Sequence, residues 1–247
     1  MDWKKQFCRP DMEYRPEVRW WLAEGFHTDR TLLRDIEMIE ESGFGAIEFL
    51  AMDEPGADSA LYGWGSEEWI HDSHVVMEQA TKKGMGVSMT SGTNWSNANL
   101  ISITPDDKAA AKELDYTSEV IQPGCSRSGL LQKCVLTQPC VHRQELLAVL
   151  AMKRQGNQIE ETGETVLDKD ACVLLTNQVK DGTLAFTAPE DGEYELFAFW
   201  LHGTGQTASP SVSVSYTINY IDRYGVEAFI DYWDREVITE EMKGFLK

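Results

Sequence analysis

Residues 28 to 50 constrain the fold more than any other stretch, because a helix with one apolar stripe, a glycine and a short apolar run follow one another without a break. From Thr28 to Ser42, Leu32, Leu33, Ile36 and Ile39 recur at helical spacing. Asp29 stands in the first turn and Gly43 just past the end, as helix signals require. Phe44-Gly45-Ala46-Ile47-Glu48-Phe49-Leu50 then reads as a strand buried on both faces of a parallel sheet, with Glu48 its one misfit. After a loop from Met52 to Gly65, rich in Gly, Asp and aromatics, Ser66 is placed to cap a second helix. Glu67 and Glu68 lie in its first turn and Lys82, Lys83 and Gly84 close it, so both ends complement the helix dipole. Met85 to Thr90 reads as another buried strand and opens into the loop Ser91-Gly92-Thr93-Asn94-Trp95-Ser96-Asn97. With a strand around Val18 to Leu22 the order is strand, helix, strand, helix, strand, a (β/α) pattern.

The pattern then breaks. Thr104-Pro105-Asp106-Asp107 predicts the start of a short helix, and residues 113–216 change character. Alternating segments such as Leu146 to Met152, Ala171 to Leu175 and Tyr194 to Trp200 are separated by turn signals at Gln155-Gly156-Asn157, Asp181-Gly182 and Asp191-Gly192, which predicts a β-sandwich-like region. From Thr217 the first pattern returns: Ile218 to Ile221 reads as a strand, Val226, Phe229, Ile230 and Trp233 as a helical stripe, and Thr239-Glu240-Glu241 as a helix start. The expected fold class is therefore α/β, a partial (β/α) TIM-type barrel of about four βα units with an inserted β-rich domain. Residues 1–112 hold the first part of the barrel, 113–216 the insert and 217–247 a truncated return. A full barrel takes roughly 250 residues and eight strands, so four strands predict an incomplete one.

A formal net charge of −19 argues against a nucleic-acid partner, which asks for clustered Lys and Arg. It suits a neutral or cationic ligand or a metal ion, and it equally serves plain solubility. The first residues lack the apolar core of a secretory signal, and no segment approaches the ~18 apolar residues of a membrane span. The five cysteines have no CxxC spacing, so neither a disulfide framework nor a zinc site is indicated, and a reducing cytoplasm is the expected compartment.

Barrel chemistry lies at the carboxyl ends of the strands. That rule selects Trp20, Trp21, Glu24 and His27 after the first strand, Glu48, Asp53 and Glu54 at the second, Asn94 and Trp95 at the third and Asp222 at the fourth. Aromatic faces stack on the C–H surface of a sugar while acids and amides take its hydroxyls; the same acids suit a hard cation such as calcium. Each has a plainer alternative. Glu48 can pair with Arg19 on the neighbouring strand, Asp53 and Glu54 can be solvated loop charges, and the tryptophans can be core. His71 and His74, three apart on a predicted helix, could hold a metal but have no third ligand near in sequence. Gly43-Phe44-Gly45 and Gly203-Thr204-Gly205 are too short for nucleotide loops.

Several of these residues carry a resemblance. Arg15-Pro16-Glu17-Val18-Arg19-Trp20-Trp21, then Asp29 to Asp35 and Ser42-Gly43-Phe44-Gly45-Ala46-Ile47-Glu48, resemble the opening of glycoside hydrolase family 106, the α-L-rhamnosidases. Gly84 to Trp95 is similar to the family's strand and Gly-Thr-x-Trp loop. Ala188-Pro189-Glu190-Asp191-Gly192-Glu193-Tyr194 resembles a turn and strand of its β portion, and Asp222-Arg223-Tyr224-Gly225-Val226-Glu227-Ala228 its re-entry into the barrel. The loop after Trp95, Ser96-Asn97-Ala98-Asn99, departs from the family's glycine-rich continuation, which puts the exact sugar in question.

The resemblance implies an inverting hydrolase that removes terminal α-L-rhamnose from glycans or glycosides, with Ca2+ helping to hold the sugar. It implies a catalytic acid and base on later barrel strands, beyond this sequence, so that Trp20, Trp21, Glu48, Asp53, Glu54, Asn94, Trp95 and Asp222 are substrate-binding candidates and no residue is named as the acid or base. Two other readings stay open: a non-catalytic carbohydrate-binding protein, with aromatics such as Trp200 and Phe197 lining one sheet face, and a metal-dependent sugar isomerase or epimerase barrel.

Overall fold

The computed structural model describes residues 3–90, 98–158, 165–207 and 213–245. They form two compact units, one of residues 1–111 with 205–247 and one of residues 112–204. Residues 205–216 therefore group with the first unit.

In the first unit, α1 (Trp3–Cys8) precedes β1 (Glu17–Glu24), α2 (Asp29–Glu41), β2 (Ala46–Asp53), α3 (Ser59–Tyr62), α4 (Glu67–Lys82) and β3 (Gly86–Met89). The three strands are parallel in the order β1-β2-β3. The apolar run is explained by this order: β2 is the central strand, and Ile47, Phe49, Leu50 and Ala51 are all buried. The two long helices begin as expected, with Thr28 in a capping box with Thr31 and the Ser66 hydroxyl accepting from Trp69 N–H. Leu32 and Ile36 of α2 and Val76, Met77 and Ala80 of α4 cover Leu22, Ile47 and Phe49 on one face of the sheet.

Beyond β3 the structure corrects three expectations about the first unit. Thr104-Pro105-Asp106-Asp107 opens a turn and no helix: Asp107 Oδ2 accepts from both the N–H and the hydroxyl of Thr104 at 2.6 and 3.0 Å, and Asp107 N–H closes the turn on Thr104 O at 3.0 Å. The fourth barrel strand is not at Ile218 to Ile221. The strand there, β11 (Tyr216–Thr217), is two residues long and pairs antiparallel with β4 (Asn99–Leu100). Among the described residues the parallel sheet thus has three strands and does not close; the fold is mixed α/β without a closed barrel. The stripe on α5 (Arg223–Tyr232) is also displaced, since Phe229 packs inward beside buried Trp233 while Val226 and Ile230 are 39% and 57% exposed. A π turn at Trp233–Val237 and α6 (Glu240–Phe245) follow, and Met242 joins the core under α4.

The second unit contains β5 (Lys112–Ile121), β6 (Ser126–Leu130), β7 (Gln144–Gln158), β8 (Thr165–Leu174), β9 (Thr183–Thr187) and β10 (Tyr194–Gly203). Four strands form an antiparallel sheet, β5-β10-β7-β8, and β6 pairs with β9. Ile121, Val149, Leu184, Leu196 and Trp200 from both sheets meet in one core, and the Trp200 indole donates to Gln132 O at 3.1 Å. The first and last residues of the unit's sheet, Lys112 and Gly203, are register partners. Asp181 and Gly182, both at positive φ between the bridged Lys180 and Thr183, form a two-residue hairpin at the predicted turn. Gln155-Gly156-Asn157 lies instead within β7, where the pairing with β8 shifts register between Gln155 and Gln158.

Candidate functional site

At the carboxyl end of β1 the chain turns sharply at Gly25, whose φ of +78° suits glycine; a Cβ there would stand 3.0 Å from the Tyr62 ring. The turn, closed by Phe26 N–H donating to Ala23 O at 3.4 Å, carries His27 back over Glu24. From the other side α4 presents Asp72, on the stripe that also buries Trp69, Ser73, Val76 and Met77. His27 Nε2 stands 3.8 Å from Glu24 Oε2 and 3.7 Å from Asp72 Oδ2, and the Glu24, His27 and Asp72 side chains are 0%, 11% and 3% exposed. Burial raises the Asp72 carboxyl above the usual carboxylate range, while His27 and a hydrogen bond shared with Glu24 pull the other way. Two carboxyl groups within 4.8 Å of one another in a dry pocket disfavour each other's charged form, a cost that a cation between them relieves. Beside them Asp29 accepts from or pairs with exposed His71 at 3.1 Å, and that hydrogen bond raises the His71 pKa.

The opposite face of the sheet carries a second group. Val18, Trp20, Leu22, Ile47 and Phe49 pack against the helices. Their strand neighbours Arg19, Trp21 and Glu48 therefore face away from them. Arg19 and Glu48 are register partners, and the guanidinium grips the carboxylate with both arms, Nε to Oε2 at 2.9 Å and Nη2 to Oε1 at 2.7 Å. Trp21, next but one along β1 from Arg19, is 44% exposed. An aromatic face beside a charged fork can stack on a sugar ring and bond its hydroxyls.

The sequence candidates separate accordingly. Trp21 and Glu48 share the open face, whereas Trp20 packs into the helix-side core, because adjacent strand residues point to opposite faces. Asp53 is the register partner of Glu24, its side chain lying outside what the structure describes, and half-buried Glu54 follows it. Asn94 and Trp95 lie outside the described residues. Asp222 is the N-cap of α5, accepting from Tyr224 N–H at 2.9 Å. His71 and His74 do not converge: His71 meets Asp29, and His74 meets Glu241 at 3.2 Å and the Phe245 ring. Asp72 is the residue that sequence reasoning passed over. Its signal was an acid standing three residues from Trp69 and four from Val76, in line with the helix's apolar stripe.

In fold, the chain is similar to a rhamnosidase. The solved structure of the rhamnosidase from Novosphingobium sp. PP1Y matches 98% of this chain with a TM-score of 0.64 at 11% sequence identity. The chain spans 38% of that protein's length. No protein-family model matches the chain, and no curated protein matches it in sequence. No helix among the described residues is long and apolar enough to cross a membrane.

Proposed function

We propose that this chain forms part of a glycoside hydrolase of the α-L-rhamnosidase type, resembling family 106, and that it contributes a sugar-holding surface. The observation that supports this best is the fold likeness to a rhamnosidase along 98% of the chain, in company with the ordered sequence resemblances at Arg15 to Trp21, Gly84 to Trp95 and Asp222 to Ala228. Trp21 with the Arg19–Glu48 pair is the proposed contact surface for a terminal rhamnosyl unit. In an inverting reaction a carboxylic acid protonates the leaving oxygen and a carboxylate about 6.5–9.5 Å away activates water. In this reading that pair comes from barrel strands other than the three described here.

Two of the acids that could serve calcium are already engaged. Both Glu48 oxygens bond to Arg19 and Asp222 caps a helix. Among the described residues, each group of three or more converging ligand side chains includes a histidine, whereas calcium takes an all-oxygen set. No step is assigned to it.

The test is release of L-rhamnose from an aryl α-L-rhamnoside, with the anomer of the first product read by NMR, alongside titration of Trp fluorescence with L-rhamnose. Binding that is at least tenfold weaker in Trp21→Ala supports the surface. Rhamnose binding untouched by Trp21→Ala and Glu48→Gln, or its absence in a folded chain, would sink it.

A second reading, carbohydrate binding without catalysis, is favoured by the second unit. Phe197 and Phe199 stack at 6.1 Å with rings 23° apart, and Tyr116, 55% exposed, lies 5.7 Å from Phe197. Trp200, expected to join such a surface, is buried in the sandwich core instead. Loss of sugar binding in Tyr116→Ala but not in Trp21→Ala would select this reading.

A further inference from the structure

We propose that Glu24, His27 and Asp72 bind one divalent transition-metal ion of the zinc or cobalt kind, on the helix side of β1 and apart from the Arg19–Trp21–Glu48 face. One nitrogen and two carboxylate groups, from a strand end, a tight turn and a helix, offer ligand atoms that all lie within 4.8 Å of one another. Zinc ligands about 2.1 Å from a tetrahedral centre stand roughly 3.4 Å apart. The edges here, 3.8 and 3.7 Å, exceed that by a few tenths of an ångström, which side-chain rotation closes.

The state of His27 is the independent observation. Both ring nitrogens are shut off from solvent, and neither makes a hydrogen bond. Nε2 faces both carboxylates, at 3.8 and 3.7 Å, and reaches neither within hydrogen-bond distance. Buried polar atoms without partners are uncommon in native proteins and point to a missing ion or water. The donor set then chooses among ions. An imidazole with carboxylates suits zinc and its transition-metal neighbours, and calcium is disfavoured. Two carboxylates buried to 0% and 3% exposure beside one another gain a counter-charge from a bound cation. Three protein ligands leave a coordination position open, as in zinc sites that exchange a ligand. The neighbouring Asp29–His71 pair is not assigned a metal, since it is already hydrogen-bonded at 3.1 Å and both side chains are about half exposed.

Five cysteines are present and Cys8, Cys125 and Cys172 are exposed, so cobalt is the probe that tells sites apart. The full chain, stripped with a chelator, is titrated with Co2+ and followed by visible absorption, with Zn2+ competition and thermal melting. One Co2+ per chain, d–d bands without near-ultraviolet thiolate charge transfer, and an unfolding midpoint raised by Zn2+ are expected. His27→Gln and Glu24→Gln should each weaken binding at least tenfold, and His71→Ala should leave it within twofold. Absence of saturable binding, thiolate charge transfer in the bound form, or unchanged affinity in a folded His27→Gln overturns the proposal. Should those variants unfold, the wild-type cobalt form still decides by proton NMR: paramagnetically shifted signals of one imidazole support the site, and none defeats it.

Discussion

Gly25 shows how much a single backbone conformation controls. Its positive φ is strained for any L residue, and a Cβ would meet the Tyr62 ring at 3.0 Å and Ala57 at 3.1 Å. Gly25→Ala is therefore expected to cost about 1–3 kcal/mol, read by denaturant unfolding, and to lose any metal-induced rise in melting midpoint because His27 no longer reaches Glu24. A second residue-scale prediction concerns pH. Lys153, 2.7 Å from Asp191, holds that carboxyl below the usual range. A lowered folded pKa means the stabilisation is full above the unfolded carboxylate value and is lost as pH falls through the folded one. NMR titration should place the Asp191 midpoint below that of an unpaired aspartate, and Lys153→Met should move it up. Legibility at this scale followed position. Glu24 and His27 could be selected because they follow a strand end, and Asp72 could not, because the rule that found the others looks only at strand ends. Its burial follows from which helix face meets the sheet.

The helices between the parallel strands were readable because capping and dipole signals are local. Ser66, for instance, was identifiable as the cap of α4, and its hydroxyl does accept from Trp69 N–H at 3.2 Å. Ser66→Ala should cost about 1 kcal/mol, lowering the melting midpoint of a chain this size by roughly 2–4 °C in calorimetry. Elements set by partners distant in sequence were less readable. The Ile218 to Ile221 run has strand composition, but the pairing with β4 stops at Thr217. Gln155-Gly156-Asn157 has turn composition, yet β7 runs through it because β8 still pairs at Gln155 and Gln158. The Asp181-Gly182 hairpin was readable because both φ values are set by the two residues themselves.

Across the whole molecule, the α/β and β regions were distinguishable from periodicity, three-residue-and-more spacing against alternation, whereas sheet closure was not, since it depends on how many strands meet and in what order. The segment that leads into α5 and α5 itself expose apolar side chains. Ile221 is 98% exposed and Ile230 57%, with Tyr220 and Tyr224 more than half exposed near them. Clustered exposed apolar side chains drive association. Sedimentation velocity should show concentration-dependent self-association of the chain, reduced in Ile221→Asp combined with Ile230→Lys. Unchanged sedimentation in that double variant would assign the association elsewhere.

The pairing of Lys112 with Gly203 carries a different consequence. Register partners on adjacent antiparallel strands sit only about 5 Å apart, so a stretch of chain that leaves at one and returns at the other makes almost no net displacement. A gene could acquire or shed the whole intervening segment while asking the host backbone to span little more than one residue's reach.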